Sequence, residues 1–193
     1  MIEKIYLILI LTFFILAFAV KNIKTYFSTK QSIKGKSIKL TISVLISTII
    51  YVIIGLRLTL LHPSWIFELD FTKFLFLKIV GISFVSIGFV LGVLALITMK
   101  NSWRVGIRYD QKTDLITNGI YKVSRNPYFL SYNILIFGYI LIFPSILLFI
   151  LLPILAITFH KMIIEEEKYL ETVHEQNYLQ YKKKVNRYFS VKL

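Results

Sequence analysis

Cysteine is absent from the chain, which excludes disulfides, thiolate metal sites and a cysteine nucleophile. Charge is scarce too: only 17% of the 193 residues are charged while 56% are hydrophobic, and the mean hydropathy is +0.71. Soluble domains carry about a quarter charged residues, whereas residues 42–56 here contain none. A disordered, collagen-like or cytosolic globular chain is thereby excluded, and an integral membrane protein is indicated. Acids are the scarcer charge, 10 against 23 Lys and Arg, for a net +13. In a soluble chain that excess would suggest nucleic acid. Here the bases fall in the gaps between apolar runs, where membrane proteins collect them on the cytoplasmic side, so no nucleic-acid partner is expected. Internal repeats and low-complexity linkers are missing, and with them a sequence argument for a transporter. His62, His160 and His174 show no metal-ligand spacing, so no metal is expected.

What is present is a series of apolar runs. A spanning helix needs about 20 mostly apolar residues, and residues 5–20 (slightly short), 40–61 and 74–99 answer to this. A fourth run, 128–159, is too long for one span, and Pro144 divides it almost in half, with Pro153 further on. Proline costs an interior helix a hydrogen bond, so this run reads as two short helices forming a hairpin. The expectation is an all-α integral membrane bundle of about five transmembrane helices plus a cytoplasmic C-terminal helix.

The loop at 21–39 holds Lys21, Lys24, Lys30, Lys34, Lys36 and Lys39 against no acid, and the segment after the third helix is also basic, while Lys73 between the second and third is outnumbered by Glu68 and Asp70. This pattern puts the N-terminus outside and the tail in the cytoplasm. Ala17-Phe18-Ala19 resembles a signal-peptidase site, but the positive charge follows the apolar run instead of preceding it, so cleavage is not expected. The lysine loop reads as a topology signal with affinity for anionic lipid. Arg57 is expected to snorkel to the headgroups, and Trp65 and Trp103 to anchor at the interface.

Two segments carry chemistry. From His160 onward the chain is polar but keeps helical spacing: Met162, Ile163, Tyr169, Leu170 and Val173 form a stripe with Glu166 in its middle. A carboxylate on a packed face costs several kcal/mol unless paired, so Glu166 needs either an internal Arg or Lys or a ligand. Glu167, Glu171 and Glu175 lie four apart on another face and read as a solvated edge or one turned to the basic loops. The other segment, 115–131, has a turn signal at Asn118-Gly119 and a helix start at Asn126-Pro127. It leaves irregular backbone at the membrane surface, where free N–H and C=O groups favour binding.

The order Gly119-x-Tyr121-x-x-x-Arg125-Asn126-Pro127, a hairpin, Glu165-Glu166-Glu167-x-x-Leu170 and Tyr178-x-x-Tyr181-x-x-x-Val185 resembles the isoprenylcysteine carboxyl methyltransferase family and its phospholipid-methyltransferase relatives. Asn101-Ser102-Trp103-Arg104 adds to it, so the likeness spans about residues 100–189. It implies a membrane enzyme that takes a methyl group from S-adenosylmethionine and gives it to a lipophilic small molecule or lipidated substrate among the membrane lipids. Carried over by position, Leu115 and Ile116 line the adenosine pocket, Tyr121, Asn126 and Pro127 hold the cofactor, and Glu166 contacts it; Arg125 and Glu166 are positioning candidates, with no catalytic acid or base assigned. The chain then divides at 99/100. Three N-terminal helices precede a methyltransferase-like region made of a cofactor segment (100–127), a hairpin (128–160) and a C-terminal helix (161–189).

The chain departs from the family pattern in two places. Asn126 stands where histidine is usual, and Met162 stands where eukaryotic members carry an arginine for the substrate, so a carboxylate acceptor lacks an obvious countercharge. If the acceptor were an amine or thiol, His160 or a neighbouring Glu would be the candidate base. Two other readings stay open: a sterol-reductase-like enzyme whose phosphorylated nicotinamide cofactor would sit on Arg104, Arg108 and Arg125, and a non-catalytic membrane protein that binds lipid or a partner.

Overall fold

The computed structural model describes residues 2–59, 69 and 74–190. His62, Trp65, Glu68, Asp70 and Lys73 lie outside them. The described chain is helical: α1 (Ile2–Thr29), α2 (Ile38–Leu58), α3 (Leu75–Thr98), α4 (Pro127–Ile142) and α5 (Ile146–Lys184). α1, α2, α3 and α5 are each long and apolar enough to cross a membrane, and α4 is a shorter apolar helix. Side chains such as Phe13, Leu45, Phe76, Ile87 and Ile154 remain exposed on their outer faces. In a water-soluble protein such surface would be a liability; against hydrocarbon it is what burial in lipid requires.

α3 packs most extensively on α4, and small residues set the distance. A Cβ added at Gly88 would come 2.7 Å from the Leu135 backbone nitrogen, and one at Gly138 would come 2.7 Å from the Gly81 carbonyl oxygen. Helices in lipid lack a hydrophobic drive to associate, so close backbone approach carries their packing. Gly138→Val is therefore expected to destabilise the protein by about 1–3 kcal/mol through overpacking, read as a lower melting temperature in detergent.

The hairpin forms as expected. Pro127 starts α4 at its first turn, and Phe143-Pro144-Ser145 links it to α5. Three boundaries differ from the sequence expectation. α1 continues to Thr29, so Lys21 and Lys24 stand on a helix and not in a loop. The tail does not begin a separate helix at 161: α5 runs from the apolar half (146–159) through His160 into the polar half without a break, and it tolerates Pro153. At Glu175 the backbone has φ 45° and ψ −122°, which kinks α5. The turn beyond the kink buries Tyr178 and Tyr181 against Tyr121. The chain then leaves the helix at Val185.

Arg57 does not reach outward. It is buried at the end of α2, its guanidinium carbon 5.7 Å from the centre of the Phe143 ring. Trp103 is also no surface anchor: it is buried, donates from Nε1 to Asn22 Oδ1 (2.7 Å) and meets the Tyr128 ring edge-on. Both polar tips find partners inside the bundle, which removes the reason to reach for the interface.

Candidate functional site

Between α3 and α4 the chain is mostly irregular, with short 3-10 turns at Lys100–Ser102 and Gly119–Lys122. Its backbone groups are satisfied by two neighbours. The first is the α1–α2 connection: Gly35 N–H donates to the Val105 carbonyl (2.8 Å) and Val105 N–H to the Ile33 carbonyl (2.9 Å), while Gln111 Nε2 donates to the Ser32 carbonyl (3.0 Å). Gly35 is required there, since a Cβ would sit 2.4 Å from the Ile107 carbonyl oxygen. The second is α5 and the segment after it. Tyr169 Oη donates to the Gln111 carbonyl (2.9 Å), Tyr181 Oη to the Tyr121 carbonyl (2.6 Å), and Arg125 N–H to the Asn186 carbonyl (3.1 Å).

A buried ion cluster locks this arrangement. Glu167 accepts from Arg125 Nη2 (2.8 Å) and Arg187 Nη2 (2.9 Å), and Asn126 Nδ2 adds a longer contact (3.3 Å). The Arg125 and Glu167 side chains are only 7% and 5% exposed. Arg125 Nη1 also donates to the Val185 carbonyl (2.6 Å). Burial works to raise the Glu167 carboxyl, yet the hydrogen bonds from Arg187 and Arg125 outweigh it and hold it below the ordinary carboxylate range. Of the two readings of this edge, Glu167 takes the one turned to the basic segments, through Arg125, and not the solvated one; Glu171, further along the same edge, pairs at the surface with Lys182.

Glu166 is the contrasting neighbour. It lines a narrow cavity beside Leu115, Ile116, Tyr121, Asn126 and Arg104, among others. Among the described residues no side chain or backbone group pairs with its carboxylate. Burial, and secondarily the charge on Glu167, pushes it up to about 7. The carboxylate lies beyond the apolar half of α5, outside the membrane-spanning stretch. The cavity lies between the 104–116 stretch of the loop and α5.

A second cavity of ≈ 280 Å³ opens inside the bundle, walled by α1, α2, α4 and α5 through Phe18, Leu40, Tyr51, Tyr128, Phe159 and Met162. Arg104 and Gly106 line both cavities. The cavity that Glu166 lines and the apolar membrane cavity therefore meet at one short loop.

The sequence profile of the phospholipid methyltransferase family matches residues 76–177, more than half of the chain. The chain belongs to the phospholipid methyltransferase family. Among solved structures it is similar to the eukaryotic intramembrane Ras methyltransferase ICMT, isoprenylcysteine carboxyl methyltransferase, with 20% identity and a TM-score of 0.53 over 79% of this chain. That likeness establishes the membrane fold. This chain spans about half (52%) of that protein. None of the curated proteins matches it in sequence.

Within this family member, Leu115, Ile116, Tyr121, Asn126 and Glu166 come together around one cavity. Pro127 does not join them: it is buried in the first turn of α4, outside the lining of both cavities. Arg125 borders the cavity but is committed to Glu167. His160 Nδ1 lies 2.6 Å from Tyr188 Oη and outside both linings, which removes it as a base for this site. Sequence reasoning missed Arg187, which has no local signal beyond the end of α5. It also left open whether α1 and α2 reach the site; both line the membrane cavity.

Proposed function

We propose that the protein is an S-adenosylmethionine-dependent methyltransferase acting on a lipophilic, membrane-embedded acceptor. The observation that carries this reading is Glu166, a half-buried carboxylate on the cavity wall without a basic partner among the described residues, beside a neighbour that has two. A cationic sulfonium ligand with an amino group and ribose hydroxyls satisfies such a group. Leu115 and Ile116 would flank its adenosine, and Tyr121, Asn126 and Glu166 would hold its polar atoms. When bound it supplies a methyl group that already carries a good leaving group. The chain then has to align an acceptor and keep water out, and it needs no acid or base for an anionic acceptor.

The aromatic and aliphatic membrane cavity favours an acceptor with a hydrocarbon body, entering from the bilayer through the gap beside α1, α2, α4 and α5. The lysine distribution supports a cytoplasmic site with the N-terminus outside. A phosphorylated nicotinamide is poorly served, since Arg108 pairs with Asp110 and Arg125 with Glu167.

Calorimetry of purified protein tests the reading. S-adenosylmethionine and S-adenosylhomocysteine are expected to bind and NADPH not to. Binding of NADPH alone would reassign the site to a reductase, and no nucleotide ligand at all would remove the enzymatic reading.

A further inference from the structure

We propose that an open cavity between the loop-facing ends of α1 and α3 binds one phospholipid with an anionic head, its phosphate held by Lys21, Lys24 and Lys100. The inference goes beyond the methyltransferase reading and does not depend on it, because this cavity shares no lining residue with the Glu166 cavity or the membrane cavity.

The cavity, of ≈ 410 Å³, has an apolar side and a basic one. Val20, Val93 and Ile97 wall the first, and Lys21, Lys24 and Lys100 the second. On α1 the change comes between Val20 and Lys21; at the end of α3 it comes between Ile97 and Lys100. Both helices therefore turn from apolar to basic at the same cavity. Among the described residues no carboxylate lines it, and none pairs with any of the three lysines. Lys21 Nζ donates to the Lys100 carbonyl (2.6 Å), which fixes its ammonium at the end of α3 and leaves the charge uncompensated. Like charges gathered in one cavity repel, and an oxyanion among them removes that cost.

Folding makes this a discrete place and not a general property of the basic stretch at 21–39. Lys39 pairs with Glu165, and Lys36 lines a different cavity together with Glu165 and Glu166. Lys21 and Lys24 are set apart from these on α1, and they are joined by Lys100, 79 residues from Lys21.

The apolar side makes the occupant a lipid. Val20 and Ile97 are exposed, and about one turn further along each helix so are Leu16 and Leu94. Acyl chains can follow this strip into the bilayer while the phosphate stays with the lysines. A choline head would bring a fourth cation into a cavity that already holds three. A bound lipid would also fasten α1 to the start of the loop, where Trp103 Nε1 already donates to Asn22 Oδ1 (2.7 Å).

Native mass spectrometry of the detergent-purified protein tests the site, with dimyristoylphosphatidylglycerol or dimyristoylphosphatidylcholine added. One phosphatidylglycerol is expected to bind at least about tenfold more tightly than phosphatidylcholine, and Lys24→Gln/Lys100→Gln to remove most of that preference. Lys30→Gln/Lys34→Gln takes the same charge from the basic stretch outside the cavity and is expected to change the affinity by less than about twofold. All four side chains are exposed, and the Lys21 bond to the Lys100 backbone survives the substitution, so both variants should melt like the unaltered protein in detergent without lipid. Phosphatidylglycerol should then raise the melting temperature of the unaltered and Lys30/Lys34 proteins, and not that of the Lys24/Lys100 variant.

Equal binding of the two lipids overturns the inference. So does an equal loss in the two variants, which would mean that summed charge alone attracts anionic lipid. Displacement of phosphatidylglycerol by an equal concentration of inorganic phosphate would show that the cavity takes the ion without the chains, and would overturn the lipid assignment.

Discussion

Glu166→Gln is expected to weaken S-adenosylmethionine binding at least about tenfold at pH 8 and to erase its pH dependence, both read by calorimetry between pH 6 and 8. The sign follows from the position of the group. Its carboxyl is pushed up to about 7 by burial first and by the Glu167 charge second. The protein thus disfavours the ionised form, while a cationic ligand favours it. Binding in the unaltered protein should tighten as pH rises through about 7. If only the ionised form binds, the apparent Kd at pH 6 is about tenfold weaker than well above 7. S-adenosylhomocysteine, whose sulfur is uncharged, should show a smaller ratio. In the ligand-free fold the same raised value gives Glu166 a stabilising contribution that is fully present below the ordinary carboxylate range and lost as pH rises through about 7. Glutamine cannot ionise, so the variant should melt no lower than the unaltered protein at pH 8. A variant that melts well below it would mean that the carboxylate serves the fold instead of a ligand.

Glu167→Ala should produce the largest loss of stability, about 3–5 kcal/mol, because it leaves the buried Arg125 without its countercharge and frees Arg187. The guanidinium of Arg125 also holds the Val185 carbonyl, and Arg125 N–H the Asn186 carbonyl. The segment after α5 should therefore come away from the start of α4, which proteolysis at the C-terminus would detect. Glu167 lies below the ordinary carboxylate range in the folded chain, so its contribution is present above that range and lost as pH falls through the lowered value. The alanine variant should lack this acid-sensitive component in thermal melts. Glu171→Ala, which breaks only the half-exposed pair with Lys182, should cost no more than about 1 kcal/mol. If both variants melted alike, the buried cluster would not be what fastens the tail.

The two adjacent acids show how far the sequence could be read. The apolar stripe around Glu166 identified a carboxylate in want of a partner, and the cavity beside it agrees with that reading. The same spacing left Glu167 either in water or turned to the basic loops and could not choose, because its partners come from outside the helix: Arg125 sits 42 residues earlier and Arg187 20 residues later. Helical periodicity fixes which residues share a face, but it says nothing of what packs there. Arg104 suffered the same limit. The sequence grouped it with Arg108 and Arg125 as a cluster for a phosphorylated cofactor, and only folding put it on the walls of two cavities, with the neutral Gln111 side chain as a partner.

The helices themselves were legible because hydrocarbon admits few solutions: backbone polar groups must be satisfied internally, so each long apolar run becomes a helix, and a proline midway through a run too long for one span makes a hairpin. The continuity of α5 into the polar tail was not legible, since a change from apolar to polar side chains alters the solvent and leaves the backbone hydrogen bonding intact. Local chemistry therefore determined the spans, the hairpin at Pro144 and the suspicion attached to Glu166. Which acid is neutralised, which arginine lines both cavities and which helices wall the membrane cavity were decided by tertiary structure, because charge pairing and cavity shape depend on groups distant in sequence that only packing brings within a few ångströms.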